Sequence, residues 1–212
     1  IRFNHRSAII WMTGLSGSGK STIAKEIEKK LFLKNYNVFV LDGDNLRAGL
    51  NKDLGFSDAD REENLRRVAE VAKLFAGSGL GTIVSFITPR QEFRETARAI
   101  IGEDDFREVY VKASYSICEE RDVKGLYAKA RTGEIQNFTG ISDPFEHPAC
   151  AHMVMESSGE DGHGVDDMVN MLAPFFEKPK AVLLPGRWQP LHVGHEWLIQ
   201  RELDQGKKVV VG

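Results

Sequence analysis

Eight residues near the start of the chain, GLSGSGKS (Gly14 to Ser21), match the pattern G-x-x-x-x-G-K-[ST]. They follow an apolar run of strand character, Ala8 to Thr13, and precede an amphipathic helical stretch, which is the setting in which such a loop works. Glycines let the backbone of Gly14, Leu15, Ser16, Gly17, Ser18 and Gly19 wrap so that its amides point at phosphate oxygens, and the helix N-terminus beginning near Lys20, Ser21 and Thr22 adds partial positive charge. Lys20 is expected to reach the β and γ phosphates and Ser21 to hold Mg²⁺ through its hydroxyl. A chance glycine-rich turn is the alternative, and the strand-loop-helix setting weighs against it. The expectation is a chain that binds ATP and Mg²⁺.

Further along, short β-branched runs alternate with helical patterns, as in βαβ units. Strands are expected at Ala8 to Thr13, Val38 to Leu41, Thr82 to Phe86, Glu108 to Val111 and His152 to Met155. The clearest helix spans about Asp58 to Ala76, where Leu65, Val68, Ala69, Ala72, Phe75 and Ala76 recur at helical spacing behind a candidate capping box of Ser57 and Asp60. GEDGHG (Gly159 to Gly164) reads as a turn, Val165 to Phe176 as a last helix, EKPK (Glu177 to Lys180) as a linker, and Ala181 to Leu184 as a new strand. The expected class is α/β: a three-layer P-loop NTPase-type fold with a mostly parallel sheet over residues 1–178, then a second unit over 179–212.

Composition excludes several functions. A net charge of -3 gives no global basic surface for nucleic acid, and 42% apolar with 28% charged residues is ordinary for a globular chain. Cys118 and Cys150 are too few for a disulfide framework and fit a reducing compartment. No apolar run suggests a membrane span, and IRFNHRSAII has no signal-peptide core, so a cytoplasmic protein is expected.

The loop motif does not choose among kinases, motor ATPases and switches. LDGDN (Leu41 to Asn45) places Asp42 and Asp44 just after the second strand, at the sheet edge where ligands of open α/β folds bind. Either could orient the waters of Mg²⁺ or take a proton from a hydroxyl attacking the γ-phosphate, although DGD is also a common turn. Arg47, Arg61, Asn64 and Arg67 gather in the stretch that follows and suit an anionic acceptor, with solvated helix surface the plainer reading for Arg66 and Arg67.

Together these residues resemble the adenylylsulfate (APS) kinase family. The matching blocks are GLSGSGKST, DGDNLRAGLNKDLGFS, DREENLRR, SFITP, CEERDVKGLYAKARTGEI and NFTGISDPFE, in the family's order between residues 8 and 148. The resemblance implies transfer of the ATP γ-phosphate to the 3′-hydroxyl of adenosine 5′-phosphosulfate, giving PAPS and ADP with Mg²⁺. It makes Asp44 the base or orienter, with Asp42 beside the metal. Arg47, Arg61 and Asn64 would hold the phosphosulfate end, and Phe56 and Phe138 would sandwich the acceptor adenine. Ile87 and Leu126 would line the acceptor pocket, Lys124 and Arg131 would belong to a basic lid over the nucleotides, and Arg121 would sit near the ATP base. Thr88 stands where the family commonly has a serine, phosphorylated in some members; it is kept as a catalytic candidate but read mainly as a pocket residue. Arg90 and Gln91 replace a Tyr-Arg pair, Lys112 an aspartate and Val123 a proline. His147, Cys150 and His152 form H-x-x-C-x-H, which lacks the paired spacing of a structural zinc site.

GRWQPLHVGH (Gly186 to His195) resembles the nucleotidylyltransferase superfamily signature, in which His192 and His195 would hydrogen-bond a triphosphate. It lacks the Arg-Asn of the usual ATP sulfurylase pattern. A unit of this size cannot bury enough surface to stand alone, so residues 179–212 are expected to be a linker and the opening unit of a longer nucleotidylyltransferase-like domain. Expected partners are APS and ATP, with no nucleic acid and no membrane; a homodimer and a fused or associated nucleotidylyltransferase or sulfurylase activity stay open. Rival readings are a P-loop kinase for another small acceptor and a noncatalytic nucleotide-sensing module.

Overall fold

The computed structural model describes residues 5–122, 124–157, 163–177, 181–184, 193–204 and 208–211. Its contacts divide the chain into two compact units, residues 1–176 and 177–212.

In the first unit, β1 (Ile9–Thr13), β2 (Val38–Asp42), β3 (Gly81–Ser85), β4 (Phe106–Lys112) and β5 (Met153–Glu156) form one parallel sheet in the order β2-β3-β1-β4-β5. Every residue of β1 is buried, because a central parallel strand has helices over both faces. Side chains alternate across it. Ile10 and Met12 pack with Ile23, Ala24, Ile27 and Leu31 of α1 (Lys20–Leu33) and with Val165, Met168, Val169 and Leu172 of α7 (His163–Phe176). Ile9 and Trp11 pack on the other side with Leu65, Val68, Ala69 and Ala72 of α3 (Asp58–Gly77) and Phe93 and Ala97 of α4 (Gln91–Ile101). Three short helices complete the unit: α2 (Gly43–Ala48), α5 (Tyr115–Arg121) and α6 (Leu126–Arg131).

Each expected strand lies within two residues of an observed one. The helix read at Asp58 to Ala76 is α3, and Ser57 caps it by accepting from the Asp60 N–H at 3.2 Å. The DGD segment is not a plain turn: Asp42 ends β2, and its Oδ1 accepts the Asp44 N–H at 3.0 Å to cap α2. The turn at 159–164 and the linker at 177–180 fall mostly outside the described residues, and α7 already includes His163 and Gly164.

In the second unit, β6 (Ala181–Leu184) and β7 (Lys208–Val211) are parallel neighbours joined through α8 (Val193–Asp204), on which the Arg201 guanidinium lies 5.2 Å from the Trp197 ring centroid. Among the described residues no helix is long and apolar enough to cross a membrane.

The connection between α2 and α3 is held by surface charges. Arg67 donates to both carboxylate oxygens of Asp53 at 2.8 and 2.9 Å and to Glu63 at 2.8 Å, while Arg66 donates to Glu63 at 2.7 and 3.0 Å. The bonds from Arg66, then those from Arg67, pull the Glu63 carboxyl down to about 2. A depressed carboxyl contributes stability that is present above its unfolded value and lost as pH falls through its folded one. Urea midpoints of the wild type and Glu63→Gln should therefore differ near neutrality and converge between about pH 4.5 and 2, the gap shrinking in high salt. A gap constant down to pH 2 would show that Glu63 contributes nothing through its charge.

Candidate functional site

The segment between β1 and α1 folds as a phosphate-binding loop because two of its glycines occupy space that no side chain could. A Cβ at Gly14 would meet the Val111 carbonyl at 2.4 Å, and one at Gly17 (φ +78°) would meet the Cys118 carbonyl at 2.7 Å. Tyr127 on α6 braces the loop by donating its hydroxyl to the Ser16 carbonyl at 2.9 Å, and burial pushes its phenol up, so it stays a donor. Lys20 is buried and donates to the carbonyls of Gly14 at 2.9 Å and Leu15 at 2.6 Å. Burial lowers its ammonium to about 8, with Cys118, Asp42 and Asp44 opposing that shift.

A cavity of about 1050 Å³ opens beside this loop at the carboxyl ends of β2 and β3. On its floor Ser21 Oγ donates to Asp42 Oδ2 at 2.6 Å and lies 3.3 Å from Ser85 Oγ. Asp42 thus uses one carboxylate oxygen to cap α2 and the other to hold Ser21. Asp44, in the first turn of α2, projects a largely exposed carboxylate that is ion-paired with Lys124. An all-oxygen set with a single carboxylate fits Mg²⁺, which keeps several of its own waters and binds substrate phosphates.

The other wall carries the groups expected for an acceptor. Phe56 is exposed, with the Arg47 guanidinium 4.5 Å from its ring centroid; Phe138 is buried, edge-on to Tyr127 at 5.0 Å. Arg47 donates to the Gly55 carbonyl at 3.0 Å. Arg61 spends all its nitrogens on protein: Nε on the Phe56 carbonyl at 3.0 Å, Nη1 on Thr139 at 2.9 Å and Asp143 at 3.1 Å, and Nη2 on the Asn137 carbonyl. Expected as a holder of the phosphosulfate end, it is first a bracket that ties the segment bearing Phe56 to the segment bearing Phe138. Asn64 is buried at the cavity wall, as part of a pair with Asn51.

Most of the remaining candidates converge on the same cavity. Ser16, Gly17, Gly19 and Thr22 line it, as do Ile87, Leu126 and Arg121. Arg121 donates to Ser157 at 2.9 Å and to the Gly17 carbonyl at 3.4 Å. Gly14, Leu15 and Ser18 lie behind the lining, where the first two receive the Lys20 bonds. Arg131 is elsewhere: a two-pronged pair with Glu119 at 3.0 and 3.1 Å takes its guanidinium, and it does not line the cavity. Thr88 lines the cavity, but the residue is 1% exposed and its hydroxyl accepts from Trp11 Nε1 at 3.1 Å. Its φ of +45° is rare for a β-branched residue and is held by bonds to its carbonyl from Thr13 and Arg94. That hydroxyl is built into the wall and not offered to a phosphate. His147 and His152 are engaged with Tyr110 and with the Glu108 N–H. His195 lies on α8 of the second unit, and His192 lies outside the described residues.

Sequence reading missed Ser85, Tyr127, Asn51, Asn137, Thr139, Asp143 and Ser157. Asn137 and Thr139 flank Phe138 in the NFTG block, and Asn137 has φ +56°, so the motif itself was the available signal. The other contacts join distant segments and leave no local pattern.

Residues 6–156 match the adenylylsulphate kinase family. The chain belongs to that family. A Bacillus licheniformis adenylyl-sulfate kinase is 54% identical over 171 residues, covering 81% of this chain and 85% of the relative, and one from Bacteroides thetaiotaomicron is 55% identical over 175 residues, covering 81% and 86%. Among solved structures, the Mycobacterium tuberculosis APS kinase in complex with AMPPNP and APS superposes with a TM-score of 0.74 at 45% identity, over 80% of this chain and 97% of that one. Residues 177–212 lie beyond the family match.

Proposed function

We infer that this chain transfers the γ-phosphate of ATP to the 3′-hydroxyl of adenosine 5′-phosphosulfate, giving PAPS and ADP. The observation that carries the reading is a cavity that joins the phosphate-binding loop to a wall bearing Arg47, Phe56, Arg61, Asn64 and Phe138, with Asp44 between. A triphosphate at the loop draws the Lys20 ammonium from the Gly14 and Leu15 carbonyls onto its own oxygens. Ser21 and Asp42 would hold Mg²⁺, which when bound would offset charge on the substrate phosphates. Phe56 and Phe138 supply aromatic faces or edges for a flat, uncharged base. Asp44 takes the proton from the 3′-hydroxyl as its oxygen bonds to the γ-phosphorus; the bond from that phosphorus to the β,γ-bridging oxygen breaks and ADP leaves. Arg47 and Asn64 meet the anionic end of the acceptor, Arg61 setting the wall and its positive charge. Lys124, already on Asp44, is positioned to shift to that anion when the cavity fills.

Steady-state ADP release measured with Mg²⁺ and ATP alone, with APS, and with sugar-acid acceptors tests the reading. Stimulation by APS alone is expected; equal rates with and without APS would reject it.

For residues 177–212 the proposal is the first strand-helix-strand unit of a nucleotidylyltransferase-like domain. Its support is the parallel β6-α8-β7 arrangement and the spacing of GRWQPLHVGH, with His195 at the start of α8. Two free thiols, one buried and one exposed, fit a cytoplasmic location.

A further inference from the structure

Asn51 lies in the connection between α2 and α3, is fully buried, and does not line the cavity. Its backbone is held on both sides, the N–H donating to the Leu46 carbonyl at 2.8 Å and the carbonyl accepting from the Leu54 N–H at 3.1 Å. Its side chain makes one hydrogen bond, from Nδ2 to Asn64 Oδ1 at 2.8 Å, and its own Oδ1 is buried with no hydrogen-bond partner. Buried polar atoms are nearly always paired, so for folding alone an apolar side chain would serve better at this position.

We propose that Asn51 is a positioning residue for the acceptor, fixing the Asn64 carboxamide so that its N–H donors, and not its carbonyl oxygen, face the anion-binding wall. A carboxamide has one acceptor oxygen and one nitrogen with two donors. When Asn51 occupies Oδ1, the group left for the cavity is Nδ2. Turned the other way, Asn64 would present a lone-pair oxygen on the wall that Arg47 and Arg61 make positive, and an anion would be repelled there. The selection acts through hydrogen-bond polarity, with no charge added.

The inference rests on the reading of the cavity as an APS site. Asn51→Asp keeps size and shape but offers only acceptors, so Asn64 must donate to it and turn its carbonyl toward the substrate. The KM for APS should rise about 10- to 100-fold, the loss of a hydrogen bond to a charged group, while the KM for ATP stays within about twofold. Asn51→Ala, which removes the hold without reversing it, should fall between. An unchanged KM for APS in folded Asn51→Asp would overturn the proposal, because the opposite amide orientation tolerates that carboxylate. So would a rise shared equally by both substrates. A second measurement uses the wild-type chain: with ADP bound to block turnover, the Asn64 side-chain NH₂ resonances should shift on addition of APS, and no shift would equally overturn it. If wild-type turnover shows no APS stimulation, the functional reading itself fails; if turnover is stimulated and these signatures are absent, the role of Asn51 alone fails.

Discussion

Replacing Asp44 by Ala should lower turnover with ATP and APS by about 10³-fold, within the range by which a positioned base accelerates proton transfer, with little change in the affinity for ADP. The separation follows from how Asp44 is held. It is the backbone N–H of Asp44, not its carboxylate, that Asp42 Oδ1 receives at 3.0 Å, so removing the side chain leaves the cap of α2 in place. The carboxylate is paired with Lys124, on the segment between α5 and α6. Single-turnover rates with the variant, and ADP titration of it, separate chemistry from binding. Equal loss in both would mean that Asp44 is needed to assemble the loop. By contrast, Asp42→Ala removes both the cap, worth about 1 kcal/mol, and the bond to Ser21, so binding and turnover should fall together.

Glu108→Ala should have the largest effect on stability. Glu108 on β4 is 2% exposed and faces two arginines from α4, Arg94 Nε at 3.2 Å and Arg98 Nη2 at 3.2 Å; Arg94 is itself 1% exposed. Burial pushes the Glu108 carboxyl up, and Arg94 followed by Arg98 pulls it back. Removing one partner of a buried pair leaves the other charge without compensation, at a cost of about 3–5 kcal/mol. For a domain of this size that lowers the melting midpoint by on the order of 10 °C. Arg94 also donates to the Thr88 carbonyl at 2.9 Å and to Gln91 at 2.8 Å, so the charged chain supports the left-handed residue in the cavity wall. Arg94→Met should therefore lose stability and also raise the KM for the acceptor, as measured by urea denaturation and initial rates. Unchanged stability in both variants would mean that the buried charges are dispensable.

The features legible in the sequence were those with local periodicity. β1 reads as a strand because five apolar or β-branched residues lie together, and α3 because its buried side chains recur at helical spacing. The phosphate-binding loop is legible because its glycines answer to steric limits within a few residues of one another. What was not legible is polar and distant. Nothing near Arg61 says that its partners are Asn137, Thr139 and Asp143, and nothing near Thr88 says that Trp11 takes its hydroxyl. The family resemblance placed Arg61 and Arg131 by chemical type. The structure shows the first bracing two segments and the second paired with Glu119, because an arginine in reach of carboxylates and carbonyls binds those before any ligand arrives. The short helices α2, α5 and α6 were also missed, since segments of this length carry too few turns for a periodic signal.

The proposed reaction brings the γ-phosphate of ATP to the 3′-hydroxyl of APS within one cavity. Its most direct test is to incubate the chain with Mg²⁺, ATP and APS and to locate the transferred phosphate in the product by ³¹P NMR coupling to the ribose protons. A new monoester phosphorus coupled to the 3′ proton, formed in equal amount to ADP, is the expected product. ADP accompanied only by inorganic phosphate, or a phosphate on any other position, would contradict it.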